Sequence, residues 1–483
     1  MAPPARSRCA VTLLAAAAAL GACKGPVERK IEADQEVYSA LGGRRVAVPE
    51  VRGSLDVDDA EEEARPLRGL KRVVLDVEEA LRIAAVGSRE YRDRREEVYL
   101  VALRYTAERH AFESQFALGG SGDLVRTDNG GTAGATVEGS ASRQLERGGA
   151  VVLRLAQDFL RAFTGDPVEA ARSILSLDLF LPLVRGAGVA ARENLTQAEL
   201  DVLYALRSWA RYQQEFVVDL ASAFYRVVEA RDTLSNEEVT YGNLVRLYDR
   251  AKAFGPEQAG RLPDFEVDQA RQNVLRADQR RVAAKEALER SIDDLKLFLG
   301  LPMSVEVVVR EDSLDGLRAA GLPDPSEDQE LAVATALLRR LDLLNARDQE
   351  KDAIRKVEVA ANGLGPDVNL RLGGELLTPG NRAFDFTDVE ALARAGIDVD
   401  LPIERTAERN VYRAALILAQ RAHRAVEGLE DDIAADVKQS WRTVGVAKTS
   451  YRIQEEGVTL AARRVESADL NFKAGNAEVR DVL

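Results

Sequence analysis

The sequence predicts a mainly helical chain with β-strands, in which one helix–strand–strand–helix unit occurs twice. The stretch "SLDLFLPLVRGAGVAARENL" (176–195) changes from strict alternation to helical spacing. The stretch "IDVDLPIERTAERNVYRAAL" (397–416) makes the same change about 220 residues later, at the same Leu-Pro pair. The composition, 30% charged and 5% aromatic, suits long exposed helices better than a thick core. Together these observations indicate a tandem duplication.

Residues 1–22 have the pattern of a secretory signal, with Arg6 and Arg8 before a short apolar run. A run of roughly ten apolar residues is too short to span a membrane as a helix. The signal ends in Leu-Gly-Ala-Cys23, which resembles the lipobox of bacterial lipoproteins, so Cys23 is the predicted lipid attachment site. An ordinary signal peptide with an incidental cysteine is the alternative. Lys24, where an Asp would favour the inner membrane, points to the outer membrane.

Residues 23–66 are acidic and poor in aromatic residues, so we interpret them as a lipidated tether that is flexible or lies on the surface. The formal net charge of the chain is −14, and signal cleavage would remove two further positive charges. Such an acidic surface argues against nucleic acid or anionic lipid as a partner. Cleavage would also remove Cys9 and leave a single cysteine, which excludes an intrachain disulfide.

The first unit covers residues 67–327. Its elements are recognised by helical spacing without proline, by a glycine-rich region with alternating residues and by a Gly/Pro turn. Its predicted parts are a helix at 68–115, strands at 116–184, a long helix at 189–254, a tip turn at 255–263, a helix at 264–299 and a mixed segment at 300–327.

The second unit covers residues 328–483 and repeats this order. Its predicted parts are a helix at 328–361, strands at 366–403, a long helix at 404–474 and a tip at 475–483.

The long helix at 189–254 has an apolar seam with steps of four and three residues, as in a coiled coil. The seam runs through Val202, Leu206, Trp209, Phe216 and Leu220. A second apolar stripe flanks it, so we expect neighbouring helices on two sides. A helix of this length, roughly 100 Å at ~1.5 Å per residue, exceeds what one globular core needs.

The strands near the Leu-Pro pairs alternate between apolar and acidic residues. Asp178 lies opposite a row of leucines, and Asp398 and Asp400 lie opposite Ile397 and Val399. A membrane β-barrel has this pattern, with the apolar face toward lipid and the polar face toward a wet lumen. An antiparallel sheet with one solvated face gives the same alternation. Because lipid does not tolerate open sheet edges, a barrel of so few strands would have to be shared between copies.

From about Leu75 onward the chain resembles the TolC-like outer-membrane efflux proteins. The resemblance is carried by "LDVEEALRIAA", by the paired "LDLFLPLVRG" and "IDVDLPIERT", and by the turns "AGRLPDFEVDQA" and "AGNAEVRDVL". It implies a homotrimer with a shared 12-stranded β-barrel in the outer membrane, continued by an α-barrel tunnel of long antiparallel helices across the periplasm. It also implies a periplasmic adaptor and an inner-membrane pump or ABC transporter as partners.

The same resemblance assigns roles at the periplasmic tip, where the family's turns meet the adaptor and acidic residues narrow the pore. The implied adaptor-binding residues are Gly260, Arg261, Leu262, Gly475 and Asn476. The implied pore constriction is formed by Glu266 and Asp481, although both also fit ordinary acids in the first turn of a helix, favoured by its dipole. The resemblance further implies an ascending helix after the second tip, and we expect that helix to be absent from this sequence, which stops at Leu483.

An enzyme is not expected, and neither are a cofactor, a metal site or catalytic residues. The two histidines, His110 and His423, lie in segments that are predicted to be helical. The glycine-rich segment at 119–135 lacks the Gly-Lys-Ser/Thr ending of a phosphate-binding loop. The alternative function is a structural or adaptor lipoprotein, a helical hairpin that spans the periplasm without a conducting pore. The sequence does not separate small-molecule efflux from protein or polysaccharide export.

Overall fold

A computed structural model describes residues 25–57, 65–127, 130–162, 169–254, 263–322, 328–379, 384–401 and 403–473. The predicted lipid site at Cys23 and the predicted tip residues at 260–262 and 475–476 lie outside this part of the chain. Asp481 also lies outside it.

The described residues form nine α-helices, eight β-strands and short 3-10 turns. The helices are α1 (Pro26–Arg45), α2 (Val77–Gly87), α3 (Arg89–His110), α4 (Glu193–Phe254), α5 (Asp264–Leu299), α6 (Asp315–Ala320), α7 (Gln329–Arg339), α8 (Leu341–Asn362) and α9 (Thr406–Lys473). The strands are β1 (Arg72–Leu75), β2 (Gln115–Thr127), β3 (Gly130–Gln144), β4 (Ala150–Ala162), β5 (Glu169–Pro182), β6 (Glu306–Val309), β7 (Asp367–Leu377) and β8 (Glu390–Asp400). No described helix combines the length and the apolar character needed to cross a membrane.

The chain divides into two compact structural units, which are different from the two sequence repeats and are called the first and second unit from here on. The first holds the described parts of residues 1–55, 97–208 and 341–428, and the second holds those of 56–96, 209–340 and 429–483. The first unit therefore contains the large sheet and the helix segments attached to it. The second contains the small β1–β6 pair and most of α4, α5 and α9.

The large sheet of the first unit is antiparallel, with the strand order β2-β3-β4-β5-β7-β8. It consists of three consecutive hairpins, and β2 and β8 are its two edges. Because neighbouring strands run in opposite directions, α3, α4, α8 and α9 all join the sheet at the same end of its strands. The observed antiparallel sheet and long helices confirm the predicted mainly helical fold with β-structure.

The number of strands differs from the expectation. Twelve strands shared by three copies would require four per chain, whereas the described part of this chain contributes six to one sheet. The additional pair is β2–β3, in the glycine-rich region before the first Leu-Pro strand. The sequence pattern predicts strands throughout 116–184, and the expectation of four strands per chain came only from the family resemblance.

The core of the second unit packs α2, α4 and α5 around the parallel pair β1–β6. Leu75, Phe224, Leu295 and Leu299 are fully buried there. Gly300 ends α5 with a φ of +69°, a conformation that favours glycine. A Cβ on Gly87 would lie 2.3 Å from the carbonyl oxygen of Leu299, so the C-terminus of α2 approaches α5 more closely than any side chain would allow.

Two predicted helices are interrupted. The segment 68–115 holds β1, α2 and α3, and the segment 328–361 holds α7 and α8. The backbone is extended at Ser88 (ψ 125°) and at Arg340 (ψ 124°), which ends the first helix of each pair. At Arg340 there is no proline or glycine to signal the end of the helix, whereas Gly87, directly before Ser88, is such a signal.

Within the segment predicted as an acidic tether, 23–66, residues Pro26–Arg45 form the helix α1. Val37 and Leu41, four residues apart, are buried on one face of α1. Tyr99 of α3 donates a hydrogen bond to Asp34, and its ring lies 5.7 Å from that of Tyr38. Two apolar residues four positions apart, together with the contacts to Tyr99, are therefore enough to pack α1 against α3.

Candidate channel wall

One face of the six-stranded sheet is apolar on every strand. The cross-strand register places its residues side by side, among them Phe116, Leu118, Leu124, Val137, Leu153, Leu155, Phe159, Leu177, Leu179, Leu370, Leu372, Ile397 and Val399. Most of them are exposed, Phe116 at 81% and Ile397 at 65%. A continuous exposed apolar surface of this kind marks contact with lipid or another macromolecule.

The three arginines on the apolar face, Arg126, Arg143 and Arg161, are each the penultimate residue of a strand. At such positions a long side chain can extend to the polar edge of a membrane while its stem stays on apolar surface. Nearer the middle, Gln157 and Ser173 are buried and hydrogen-bonded to each other. Their polar groups are therefore satisfied within the chain, as an apolar surrounding requires.

The opposite face is polar and carries more acid than base. In the described strands it holds nine carboxylates and four guanidinium groups. The carboxylates belong to Asp123, Glu138, Asp158, Asp178, Asp367, Glu375, Glu390, Asp398 and Asp400, and the guanidinium groups to Arg154, Arg172, Arg371 and Arg394. With thirteen charged groups, this face is the one suited to contact with water.

Cross-strand ion pairs connect parts of the polar face. Arg154 of β4 lies 2.8 Å from Glu138 of β3, and Arg394 of β8 pairs with Glu375 of β7. These residues were not among those predicted from the sequence. The alternation in "TVEGSAS" and "VVLRLAQDF" could have identified the first pair, but no local signal showed which strands are neighbours.

The three predicted lumen residues all lie on the polar face. Asp178 of β5 is exposed and lies over the backbone of Gly373, its cross-strand neighbour. Asp398 of β8 pairs with Arg371 of β7. Asp400 lies directly opposite Asp367, and both carboxylates point to the same face. Two like charges facing each other destabilise a dry sheet, so this end of the polar face suits water contact.

The helices below the sheet are joined by a buried polar network. Tyr204 of α4 and Arg355 of α8 each donate a 2.7 Å hydrogen bond to the carboxylate of Asp352. Arg355 also donates to Glu193 at 2.7 Å, and Arg207 pairs with Asp348 at 2.7 Å. Burial, followed by the bond to Asp352, raises the pKa of Tyr204, and the carboxylate of Glu193 raises the pKa of Arg355. The network fixes α8 against α4 directly beneath the sheet.

The C-terminal half of α9 presents two uncovered apolar rows. Val444, Tyr451, Val458 and Val465 recur every seven residues, as do Val446, Ile453 and Leu460. The rows are two positions apart in the heptad, which places them about 200° apart, on opposite sides of the helix. Val458 is 70% exposed and Ile453 63%. This pattern predicts a helix packed on each side of α9.

Glu266 lies in the first turn of α5, where its backbone N–H donates to the carbonyl of Pro263. The carboxylate oxygen Oε2 of Glu266 is buried, and this oxygen has no hydrogen-bond partner among the described residues. The structure therefore brings Glu266 to the helix start next to the predicted tip turn. A pore role for it remains a prediction.

No protein-family model and no characterised protein sequence matches the chain. Solved structures do match its fold. The outer membrane protein VceC of Vibrio cholerae has a TM-score of 0.58 at 14% identity, covering 84% of this chain and 88% of its own. The MtrE outer membrane channel of Neisseria gonorrhoeae has a TM-score of 0.59 at 13% identity, covering 84% and 81%.

The Campylobacter jejuni CmeC outer membrane channel matches with a TM-score of 0.57 at 14% identity, covering 84% of this chain and 78% of its own. The chain therefore shares the fold of these outer-membrane channels, which confirms at the level of fold the resemblance seen in the sequence.

Proposed function

We propose, from the shared channel fold, that this chain is the outer-membrane channel-tunnel of a tripartite efflux or type I secretion system. It conducts substrates passively from an inner-membrane pump and a periplasmic adaptor to the exterior. The observation that carries the proposal is the sheet with one apolar and one acidic face, whose strands connect at one end to four helices. A sheet of this kind suits a wall between lipid and water.

The strand lengths suit this role. The shortest strands of the sheet, β7 and β8, have 11 residues each. At ~3.3 Å per residue and a tilt of ~40°, 11 residues cover about 28 Å along the membrane normal, enough for an apolar band ~25 Å tall. Each described strand of this sheet is therefore long enough to span the outer membrane.

The unpaired edges of β2 and β8 require further copies of the chain. In lipid an open edge leaves backbone N–H and C=O groups without partners, so a spanning sheet has to close. The two uncovered rows on α9 demand helix neighbours in the same way. We propose a homotrimer that closes both layers, as in the family that the sequence resembles.

The proposal extends to the lipid anchor and to the periplasmic tip. Cys23 carries the lipid anchor, and Gly260, Arg261, Leu262, Gly475 and Asn476 meet the adaptor. Glu266 and Asp481 narrow the aperture. In cells, Leu262→Asp should abolish transport while leaving the oligomer intact, because a charge would disrupt the adaptor contact. Full transport by this variant would show that the adaptor does not hold the turn.

The decisive experiment is conductance of the purified full-length protein in planar bilayers. We expect stepwise, cation-preferring currents. A Glu266→Gln/Asp481→Asn variant should lose part of that preference if these acids line the aperture. A folded, membrane-inserted oligomer that stays silent, also after the acids are neutralised, would favour the alternative, a structural or adaptor lipoprotein. The apolar outer face of the sheet is unexplained by that alternative.

A further inference from the structure

We infer that the additional hairpin β2–β3 is part of the membrane wall, so that three copies close an 18-stranded barrel with an exit wider than a 12-stranded one. This inference rests on the proposed function. It concerns the size of solute that can leave.

The register of the hairpin supports a place in the wall. Thirteen residue pairs join β2 to β3, and another thirteen join β3 to β4, with no interruption of the pairing. The two faces of the sheet continue across it. Phe116, Leu118 and Val137 lie on the apolar face, whereas Asp123 and Glu138 lie on the polar face. Residues in a loop outside the membrane would have no need to keep this alternation over two full strands.

The widths of the two layers give a second, independent argument. Six strands spaced ~4.8 Å apart and tilted ~40° occupy about 38 Å of a barrel circumference. Side by side at the usual interaxial distance of about 8–10 Å, the four helices that join this end of the sheet would occupy about 32–40 Å. The sheet and the helix layer of one chain thus have matching widths. Four strands would occupy only about 25 Å, so that barrel would have to taper sharply above the helices.

The expected lumen follows from the strand number. Barrel diameter grows almost linearly with strand number, from a backbone radius of about 12 Å for 12 strands to about 18 Å for 18. Once side chains fill the inner ~6 Å, the open width rises from about 12 Å to about 24 Å. The described hairpin adds little bulk to that lumen, because its polar face carries small residues such as Ser121, Thr136 and Ser140.

Thiol labelling of adjacent residues tests the placement in the intact protein. Thr136 and Val137 are neighbours in the middle of β3 and lie on opposite faces. In the protein reconstituted in membranes, a water-soluble, membrane-impermeant reagent should modify Thr136→Cys and leave Val137→Cys unmodified. Equal modification of both would place the hairpin outside the wall and overturn the inference.

A matched pair on β5 tests the proposed function separately. Ser176 lies on the polar face and Leu177 on the apolar face of a strand that a four-stranded sheet would also contain. If Ser176→Cys and Leu177→Cys are modified equally, the membrane wall itself is refuted. If this pair discriminates and the Thr136/Val137 pair does not, only the inference about the hairpin fails.

Removal of the hairpin tests the size of the exit. β4 runs in the same direction as β2, so deletion of residues 115–149 joins α3 to a strand of the correct direction. Polyethylene glycols added on the barrel side, where the proposed tip aperture does not limit their entry, should enter the lumen of the full chain up to a larger size than that of the deletion variant, because the barrel width falls from about 24 Å to about 12 Å. An unchanged polymer cut-off would overturn the inference. If the variant fails to assemble, the thiol pairs still decide.

Discussion

The phenol of Tyr204 donates a 2.7 Å hydrogen bond to the carboxylate of Asp352, although the two residues are 148 positions apart. Asp352 is only 4% exposed, and Arg355 bonds its other oxygen. Gln197 of α4 is a third donor to the carboxylate, at 3.3 Å. The buried carboxylate holds α4 and α8 together at the base of the sheet, and its removal takes away the acceptor of all three bonds.

We expect Asp352→Ala to destabilise the first unit by about 3 kcal/mol, since it leaves the Arg355 charge partly buried without one of its partners. Tyr204→Phe should cost only about 1 kcal/mol, because it removes one neutral donor. Thermal unfolding of the purified protein, followed by circular dichroism, measures both. Equal losses of stability in the two variants would contradict a central role for the carboxylate.

The start of α2 should show a distinct acid sensitivity. The backbone N–H of Glu79 donates to the carboxylate of Asp76 at 2.7 Å, and Arg310 pairs with it. The bond from Glu79, together with Arg310, lowers the pKa of Asp76, although partial burial opposes this. The ionised form is therefore favoured by folding. Its contribution is present above the ordinary pKa of about 3.9 and is lost as pH falls through the lowered value.

Asp76→Ala should cost about 1 kcal/mol at neutral pH through loss of the helix cap. Asp76→Asn keeps an acceptor without the charge, so it should cost less and should remove part of the loss of stability on acidification below about pH 4. Melting temperatures at neutral and acidic pH would show this. An unchanged acid response in the Asn variant would mean that other carboxylates dominate.

The polar face of the sheet should set the ion preference of the barrel. Neutralising Asp178, Asp398 and Asp400 together with Asn should lower the cation-to-anion permeability ratio roughly twofold, because fewer negative charges line the lumen. Arg394→Gln removes a positive charge from the same face and should raise the ratio. Reversal potentials in a salt gradient measure both. Shifts of the same sign in the two variants would show that these residues do not face the conducting space.

The two rows on α9 should be required for assembly independently. Val458→Asp and Ile453→Asp each place a charge in one row, so each should weaken the oligomer in detergent. Thr459 lies about 100° from Val458 around the helix and outside both rows, so Thr459→Asp is the control. Size-exclusion chromatography with light scattering gives the oligomeric state. If only one row is sensitive, α9 has a single helix neighbour.

The close approach of α2 to α5 predicts a contrast between two helical glycines. Gly87→Ala should be destabilising by about 1–3 kcal/mol, since the new methyl group would meet the Leu299 carbonyl and force the two elements apart. Gly242→Ala should be neutral or slightly stabilising, because nothing lies within 4 Å of its Cβ and alanine favours the helix. Thermal unfolding distinguishes them, and equal effects would exclude the steric explanation.

Periodicity and alternation sufficed for the features that repeat along the chain. The long helices and the acidic strands around Asp178 and Asp398 follow from them, and α5 occupies the predicted residues 264–299. Features that depend on distant partners could not be predicted in this way. The four-residue strands β1 and β6 pair 234 positions apart, and α7 ends at Arg340 without a local signal. The lower strand number came from the family resemblance, since the sequence pattern itself predicted strands throughout 116–184.

The exposed apolar face of the sheet has a consequence for how the protein is made. In water, six long strands with two free edges would adhere to other chains and aggregate. The helices can form and pack in water, because their polar networks and buried rows need no lipid. We therefore expect biogenesis to proceed in that order, with the strands shielded by holding chaperones until closure and insertion occur together. The step most vulnerable to failure in the cell would then be delivery of the sheet to the membrane.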